Sequence, residues 1–391
     1  MQRSVVDMVT TSLSHQVGSK VSIEEIEWNF PNSFVLKDVY VEDKNCDTML
    51  FMDRTKVTIN LWRLLSSQIS FRTIQFTGLE ANLSVDSTQV PNFQFFIDAF
   101  KSDNNDTLSL KWTMDIESFA FEGCQISYKN PYIEENLIGR FNPNDVRLYD
   151  INGCLYVRTY DEDSLNIKVD NISFKEQSGF VVDDISTVVA LNDENINLTK
   201  FVLKTPNSSL EIKKSILYHQ HYEALKRPQE LLRGAVQFSP SVIKLSDFSV
   251  FHPALDLLQE PFTIDGEIYG SLSHIQANGL MMKYGKSTCI AGNVAVRNLY
   301  PDSKKMNLVA NVEKISSNYS ELSDLLWVAL DRDIQLPKTL DSLGVISYRG
   351  TLNGDLSNML SEGMILSNMG TLNVSVAMNS QDLQLNSYTV E

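Results

Sequence analysis

The chain has few of the residue types that build catalytic and metal centres. Among 391 residues there are 5 histidines and 4 cysteines. The cysteines (Cys46, Cys124, Cys154 and Cys289) fall at spacings that match no zinc or redox motif, and a chain of this size does not need disulfide stapling. No GxGxxG, GxxxxGK[ST], GxSxG or HExxH occurs. His219 and His221 alternate without further ligands around them. The acidic run Asp161-Glu162-Asp163 lacks the spaced oxygens and glycine of a calcium loop. Nothing singles out two carboxylates facing one cleft, so a glycan hydrolase on a β scaffold is disfavoured. The expectation is a protein with no catalytic residue, no metal and no cofactor.

Positive charge is also scarce. Lys and Arg number 33 against 49 Asp and Glu, a net charge of -16. A nucleic-acid surface needs clustered cations to neutralise phosphates, so no nucleic-acid partner is expected. No apolar run approaches the ~20 residues of a membrane-spanning helix. The opening MQRSVVDMVTTSLSHQV lacks the apolar core and cleavage site of a secretory signal. The sequence stops at Tyr388-Thr389-Val390-Glu391 within a strand-like pattern, which suggests a piece of something longer.

What the chain does have is alternation and an internal repeat. Residues 262–285, FTIDGEIYGSLSHIQANGLMMKYG, return at 346–370 as ISYRGTLNGDLSNMLSEGMILSNMG. Gly266, Gly270 and Gly279 match Gly350, Gly354 and Gly363 at an offset of 84, and Leu272 matches Leu356. A long fixed period marks a structural unit used more than once. The copies share no catalytic residue type, so they read as scaffold in which the glycines mark turns or bends of consecutive strands.

In chain order, Val5, Val6, Val9, Leu13 and Val17 predict an amphipathic helix over 4–17, with Ser4 as cap and Gly18 as stop. Strands follow from Val21, with one apolar and one polar face. Val57, Ile59 and Leu61 face one way; Lys56, Thr58 and Asn60 face the other. Strands are expected on each side of Gly78, over 108–114, 116–122, 124–128, 146–151, 153–159, 165–169, 172–174, 181–191, 196–203 and 209–212. A helical turn is expected at 62–67, a short helix at 93–100, a helix over 217–234 interrupted before Pro228, and a clear helix at Tyr319–Leu330 with Ser320 as cap. The polar region 130–145 reads as a connection, which divides the chain into 1–130 and 131–391. A closed β-sandwich requires the same alternation as an open apolar groove.

The opening resembles the translocation and assembly module family (TamB, within the AsmA-like superfamily) in its Bacteroidetes form. The pattern L-x-D-V-x-V-x-D is carried by Leu36, Asp38, Val39, Val41 and Asp43. D-T-x-L falls on Asp47, Thr48 and Leu50, V-x-I-N-L on Val57, Ile59, Asn60 and Leu61, and an N-F-Q-F-x-I-D-A-F stretch on Asn92 to Phe100. The G-x-x-x-G-x-L units match Gly266/Gly270/Leu272 and Gly350/Gly354/Leu356. The family's N-terminal membrane anchor and long C-terminal β-rich region have no counterpart in this sequence.

The resemblance implies an elongated, twisted antiparallel β-sheet curled into an apolar-lined groove, with a few short helices. It implies a periplasmic segment, anchored in the inner membrane in the full-length protein, that carries phospholipid toward the outer membrane. The partners implied are phospholipid acyl chains and an outer-membrane barrel of the BamA family. A structural or chaperone module for outer-membrane or secreted proteins is the alternative. The residues expected to line the groove are Val57, Ile59, Leu61, Ile69, Phe71, Leu83, Val85, Ile167 and Val169.

Overall fold

The computed structural model describes residues 2–60, 71–100, 116–133, 137, 139–160, 164–219, 233–271, 273–299, 305–330, 336–355, 358–379 and 389–390. The fold is mostly β and mostly antiparallel, with a few short helices, and does not close into a barrel. Two compact units divide the chain: Met1–Tyr160 with Ile167–Ser186, and Asp161–Asn166 with Thr187–Glu391. The connection at 130–145 therefore joins two strands of the first unit.

The first unit opens on helix α1 (Gln2–Val17). Ser4 lies inside its first turn and is not its cap. Gly18 ends it as expected, at φ 64 with its N–H on Ser14 O at 2.9 Å. Two short edge strands, β1 (Val21–Ser22) and β2 (Glu25–Asn29), pair with β3 (Ser33–Glu42). β4 (Thr48–Ile59), β5 (Phe71–Ser84), β6 (Ile116–Lys129) and β7 (Asp145–Tyr160) extend the sheet in chain order. β5 and β6 run parallel, which requires a crossover. That crossover contains helix α2 (Gln94–Phe100). β8 (Ser164–Glu176) follows, and β9 (Val181–Asn192) carries the chain across the division between the units.

The second unit is a run of consecutive antiparallel pairs. Its strands are β10 (Asn195–Thr205), β11 (Ser208–Tyr218), β12 (Arg233–Ile243), β13 (Phe262–Ser271) and β14 (His274–Tyr284). β15 (Thr288–Arg297), β16 (Asn307–Ser317), β17 (Ile346–Asp355), β18 (Asn358–Ser367), β19 (Gly370–Asn379) and the two-residue β20 (Thr389–Val390) complete it. Helix α3 (Tyr319–Leu330) joins β16 to β17. Its cap is Asn318, whose Oδ1 accepts the Glu321 N–H at 2.8 Å. Ser320, two residues too late, is already inside the helix.

The strands are long and bend in the middle. Sequence reading places breaks at Gly78, Gly123, residue 152 and residues 170–171. The chain instead passes through each as one strand, with a left-handed residue at or beside the break: Gly78 (φ 62), Gly123 (φ 59), Asp150 (φ 51) and Asn171 (φ 51), preceded in β3 by Asp38 (φ 50). Gly, Asn and Asp tolerate this conformation; other residues resist it. Asp38, Asp53, Gly78 and Gly123 are also where the pairings of β3 through β6 skip, so they form one row across four strands. The freed N–H groups find new acceptors on neighbouring strands. Gly123 N–H donates to Asn152 Oδ1 at 2.9 Å and Asn171 N–H to Ser186 Oγ at 3.0 Å.

In the second unit the same bend is built from bulges. β12 carries one residue more than β13, β14 one more than β13 and β15, and β16 one more than β15 and β17, while β13, β15 and β17 each place a glycine opposite. Those glycines are Gly266, Gly292 and Gly350. Two residues facing one crowd the single partner. A Cβ on Gly266 would lie 2.8 Å from both Gly279 O and Leu280 Cα. The extra residue of β14 lies at Gly279, whose N–H donates to Asn293 Oδ1 at 2.8 Å.

Candidate functional site: the apolar face

Each left-handed or extra residue shifts the in–out alternation by one, and the sequence pattern shifts with it. In β3 the apolar positions are Phe34 and Leu36 before the bend and Val39 and Val41 after it. In β5 they are Ile74 and Phe76, then Leu79, Ala81 and Leu83. Both sets face the same way. Leu36, Phe76 and Leu79 pack together against buried Ile23, Val39 and Met52. One face therefore stays apolar through the bend.

Helix α1 covers part of that face at the start of the chain. Val6 and Leu13 pack on the Ile23/Val39/Met52 cluster. Leu13 also packs on Val21, Val41 and Met49, where Phe93, Phe95 and Phe96 of the α2 region join it. The next row, Phe34–Val57–Ile74–Phe119–Leu155, is half-buried.

In the second unit the register places whole rows of apolar residues side by side. One runs Ile264–Met282–Ile290–Ile315–Tyr348–Ile365–Leu372 from β13 to β19. Beyond the bend, another runs Val236–Ile268–Ala277–Val294–Ala310–Leu352–Ser361–Val376. At about 4.8 Å per strand, seven strands make the first row about 29 Å wide. On the opposite face Asn293, Asn311, Thr351, Glu362 and Ser375 form a polar row, beside exposed apolar residues such as Val309 and Leu360. Most side chains of the apolar rows are half-buried, and the fully covered ones are mainly small, such as Ala277, Ala310 and Val312.

One end of these strands is capped by carboxylates delivered from helical segments. After β12, the 3-10 turn Leu245–Phe248 brings Asp247 to the β10–β11 turn. There it accepts from Thr205 Oγ1, Asn207 N at 3.1 Å, Asn207 Nδ2 at 2.8 Å and Ser208 Oγ at 2.8 Å. After β16, α3 brings the buried Glu321 to the β14–β15 turn. It accepts from the N–H groups of Lys286 (3.1 Å), Ser287 (3.2 Å) and Thr288 (2.7 Å), and from Thr288 Oγ1 (2.7 Å). Burial works against ionisation of both carboxyls. The donors around them outweigh it and hold each below the usual carboxylate range. Gly285 N–H donates to Pro261 O at 3.2 Å, and Asn368 N–H to Leu343 O at 3.1 Å.

Of the residues expected to line the groove, Val57 lies in the row described above. Ile59 and Phe71 pair with each other at the end of β4 and β5, and Phe71 pairs onward with Ile116. Leu83 pairs with Tyr128 beyond the bend, and Val85 follows two residues later in a bridge to Pro91. Ile167 and Val169 alternate along β8 just before Asn171. Leu61 and Ile69 lie outside the described residues, as do the expected helical turn at 62–67, most of the expected helix at 217–234 and the strand at 108–114. Sequence reasoning missed the longest apolar rows, those of β13 to β19. Their alternation was legible, but the extra residues in β14 and β16 hid which positions share a face.

On the polar face of β5 to β7, a depression is lined by Glu80, Asn82, Gln125, Ser127, Arg147 and Tyr149, among others. Arg147 there faces Asp145 at 3.7 Å. Among the described residues no group of three His, Cys, Asp or Glu could hold a metal, and no helix is long and apolar enough to cross a membrane. Comparison with protein families, curated proteins and solved structures gave no match.

Proposed function

We propose that the apolar face is a track for phospholipid acyl chains, and that the chain is a segment of a lipid-carrying bridge of the TamB type. The observation that carries this is the row Ile264–Met282–Ile290–Ile315–Tyr348–Ile365–Leu372 beside the polar row on the other face. Acyl chains need continuous apolar surface, and headgroups need access to water; a bent sheet with one apolar face offers both. Transport of this kind needs no catalyst. The resemblance adds the setting: the periplasm, an inner-membrane anchor in the full-length protein and a BamA-like outer-membrane partner.

A photo-crosslinking residue tests the face directly. At Ile315, in the middle of the apolar row, it is expected to give lipid adducts in cells. At Val309, 44% exposed on the opposite face, it is expected to give none. Protein adducts in place of lipid at Ile315 would favour a chaperone for outer-membrane proteins.

A further inference from the structure

The apolar face of the first unit ends in exposed aromatics. Trp28 in β2 pairs with Phe34 in β3, which begins the row Phe34–Val57–Ile74–Phe119–Leu155. Trp28 stacks on Phe34 with ring centroids 6.4 Å apart and planes at 14°, and Phe30 lies 6.2 Å from Trp28. Trp28 is 67% exposed and Phe30 82%. Two large aromatic residues this open at a hairpin tip leave apolar surface in water.

The tip is held firmly. Asn32 in the turn donates from Nδ2 to Ile59 O at 3.1 Å and accepts the Ile59 N–H on its own carbonyl at 2.9 Å. The turn is thereby fixed to the end of β4. The charges lie on the other face of β2. Glu25 and Glu27 both hold Lys37, at 3.0 and 2.5 Å.

We infer that the Trp28–Phe30 hairpin tip inserts into the headgroup–acyl boundary of a lipid bilayer, where acyl chains pass between the membrane and the apolar face. The inference rests on the lipid-track reading, because the tip is the exposed end of the apolar row of the first unit. A bilayer is the occupant that fits. The indole N–H, Asn29 and Asn32 place polar groups beside the rings, which suits the interfacial layer. What the tip offers is apolar surface, so zwitterionic lipid should suffice.

The test is flotation of the full chain with phosphatidylcholine vesicles, alongside the lipid content of the purified protein. The wild type is expected to float. Phe30→Ser is expected to lower partitioning about tenfold, and Trp28→Ser/Phe30→Ser further, from the apolar surface removed. Tyr132→Ser, 57% exposed elsewhere in the first unit, should float like the wild type. Phe30→Ser guards against misfolding of the double variant, since its side chain is almost wholly in solvent. Wild-type flotation by both tip variants, or a lipid-loaded wild type that does not float, would overturn the inference. A lipid-free wild type that floats through the tip would instead sink the lipid track and leave the tip as a membrane contact.

Discussion

Gly266→Val is expected to destabilise the second unit by about 3–4 kcal/mol. Gly266 sits at φ 119, a region closed to side-chain-bearing residues, and that strain alone costs about 1–3 kcal/mol. The added Cβ would also meet Gly279 O and Leu280 Cα at 2.8 Å. Both are backbone atoms of the bulge in β14 and cannot swing aside. Gly279→Ala provides the contrast within the same bulge. Gly279 is left-handed at φ 53, but nothing lies within 4 Å of the position its Cβ would take. It should cost only the backbone penalty, about 1 kcal/mol. For a unit of this size the valine corresponds to a fall in melting temperature of about 6–16 °C and the alanine to about 2–4 °C. Equal shifts would mean that β14 does not press on Gly266 and that the bend is not built from paired bulge and glycine.

The second large effect belongs to Glu321. Glu321→Ala removes the acceptor for the N–H groups of Lys286, Ser287 and Thr288 and for the Thr288 hydroxyl. Donors left without a partner beside a buried site cost about 3 kcal/mol in sum. Glu321→Gln keeps one acceptor oxygen and should lose roughly half as much. The pH dependence has a definite sign. Although burial raises the Glu321 pKa, its donors lower it more, so the folded value lies below the ordinary value near 4.5. A carboxyl depressed by folding stabilises above its unfolded pKa, and that contribution disappears as pH falls through the folded value. Asp247 behaves alike at the β10–β11 turn. Asp324, raised by burial and by the charge of Glu321, acts in the opposite sense and offsets part of the gain. Stability of the second unit from this source should be steady between pH 7 and about 5 and decline below about 4.5. The decline should be shallower in Glu321→Ala. Parallel acid titrations of stability in the two proteins would refute the cap.

These features differ in how far the sequence discloses them. Alternation identifies strands and an apolar face, because side chains point to opposite sides of a sheet every second residue. The glycine repeat marks bends in the second unit, and Gly266 and Gly350 lie at two of them. Four things were hidden. Phase slips at Gly78, Gly123 and Asn171 look like hairpin turns when only spacing is visible. A left-handed residue inside a continuous strand produces the same break in the pattern. Gly292 belongs to the same series as Gly266 and Gly350, but its role depends on the extra residues of β14 and β16, which are set by pairing between strands. The caps were equally silent. Asp247 and Glu321 reach turns about 40 and 33 to 35 residues away in sequence, and no local pattern announces that. The parallel pairing of β5 and β6 has the same character. The connecting stretch after Ser84 signals a break in the strand rhythm, and only the register shows that the next strand returns in the same direction.

The two units share one solution to one problem. A long strand with one apolar face must bend without turning its apolar residues outward. The first unit bends at left-handed Asp, Asn and Gly residues, and the second at bulges opposed by glycine. In each, the sequence pattern slips by one residue where the backbone does, and the face stays apolar on both sides.

The central claim is that this surface carries lipid. Its most direct measurement is organic extraction of the chain purified without detergent from a bacterial host, with the extract quantified by mass spectrometry against protein. The account predicts phospholipid at one molecule or more per chain. It also predicts a several-fold loss when Ile290 and Ile315, adjacent in the apolar row, are both replaced by Glu in a chain that remains folded. Protein that is folded and free of phospholipid, or that retains it undiminished in the double variant, would contradict the account.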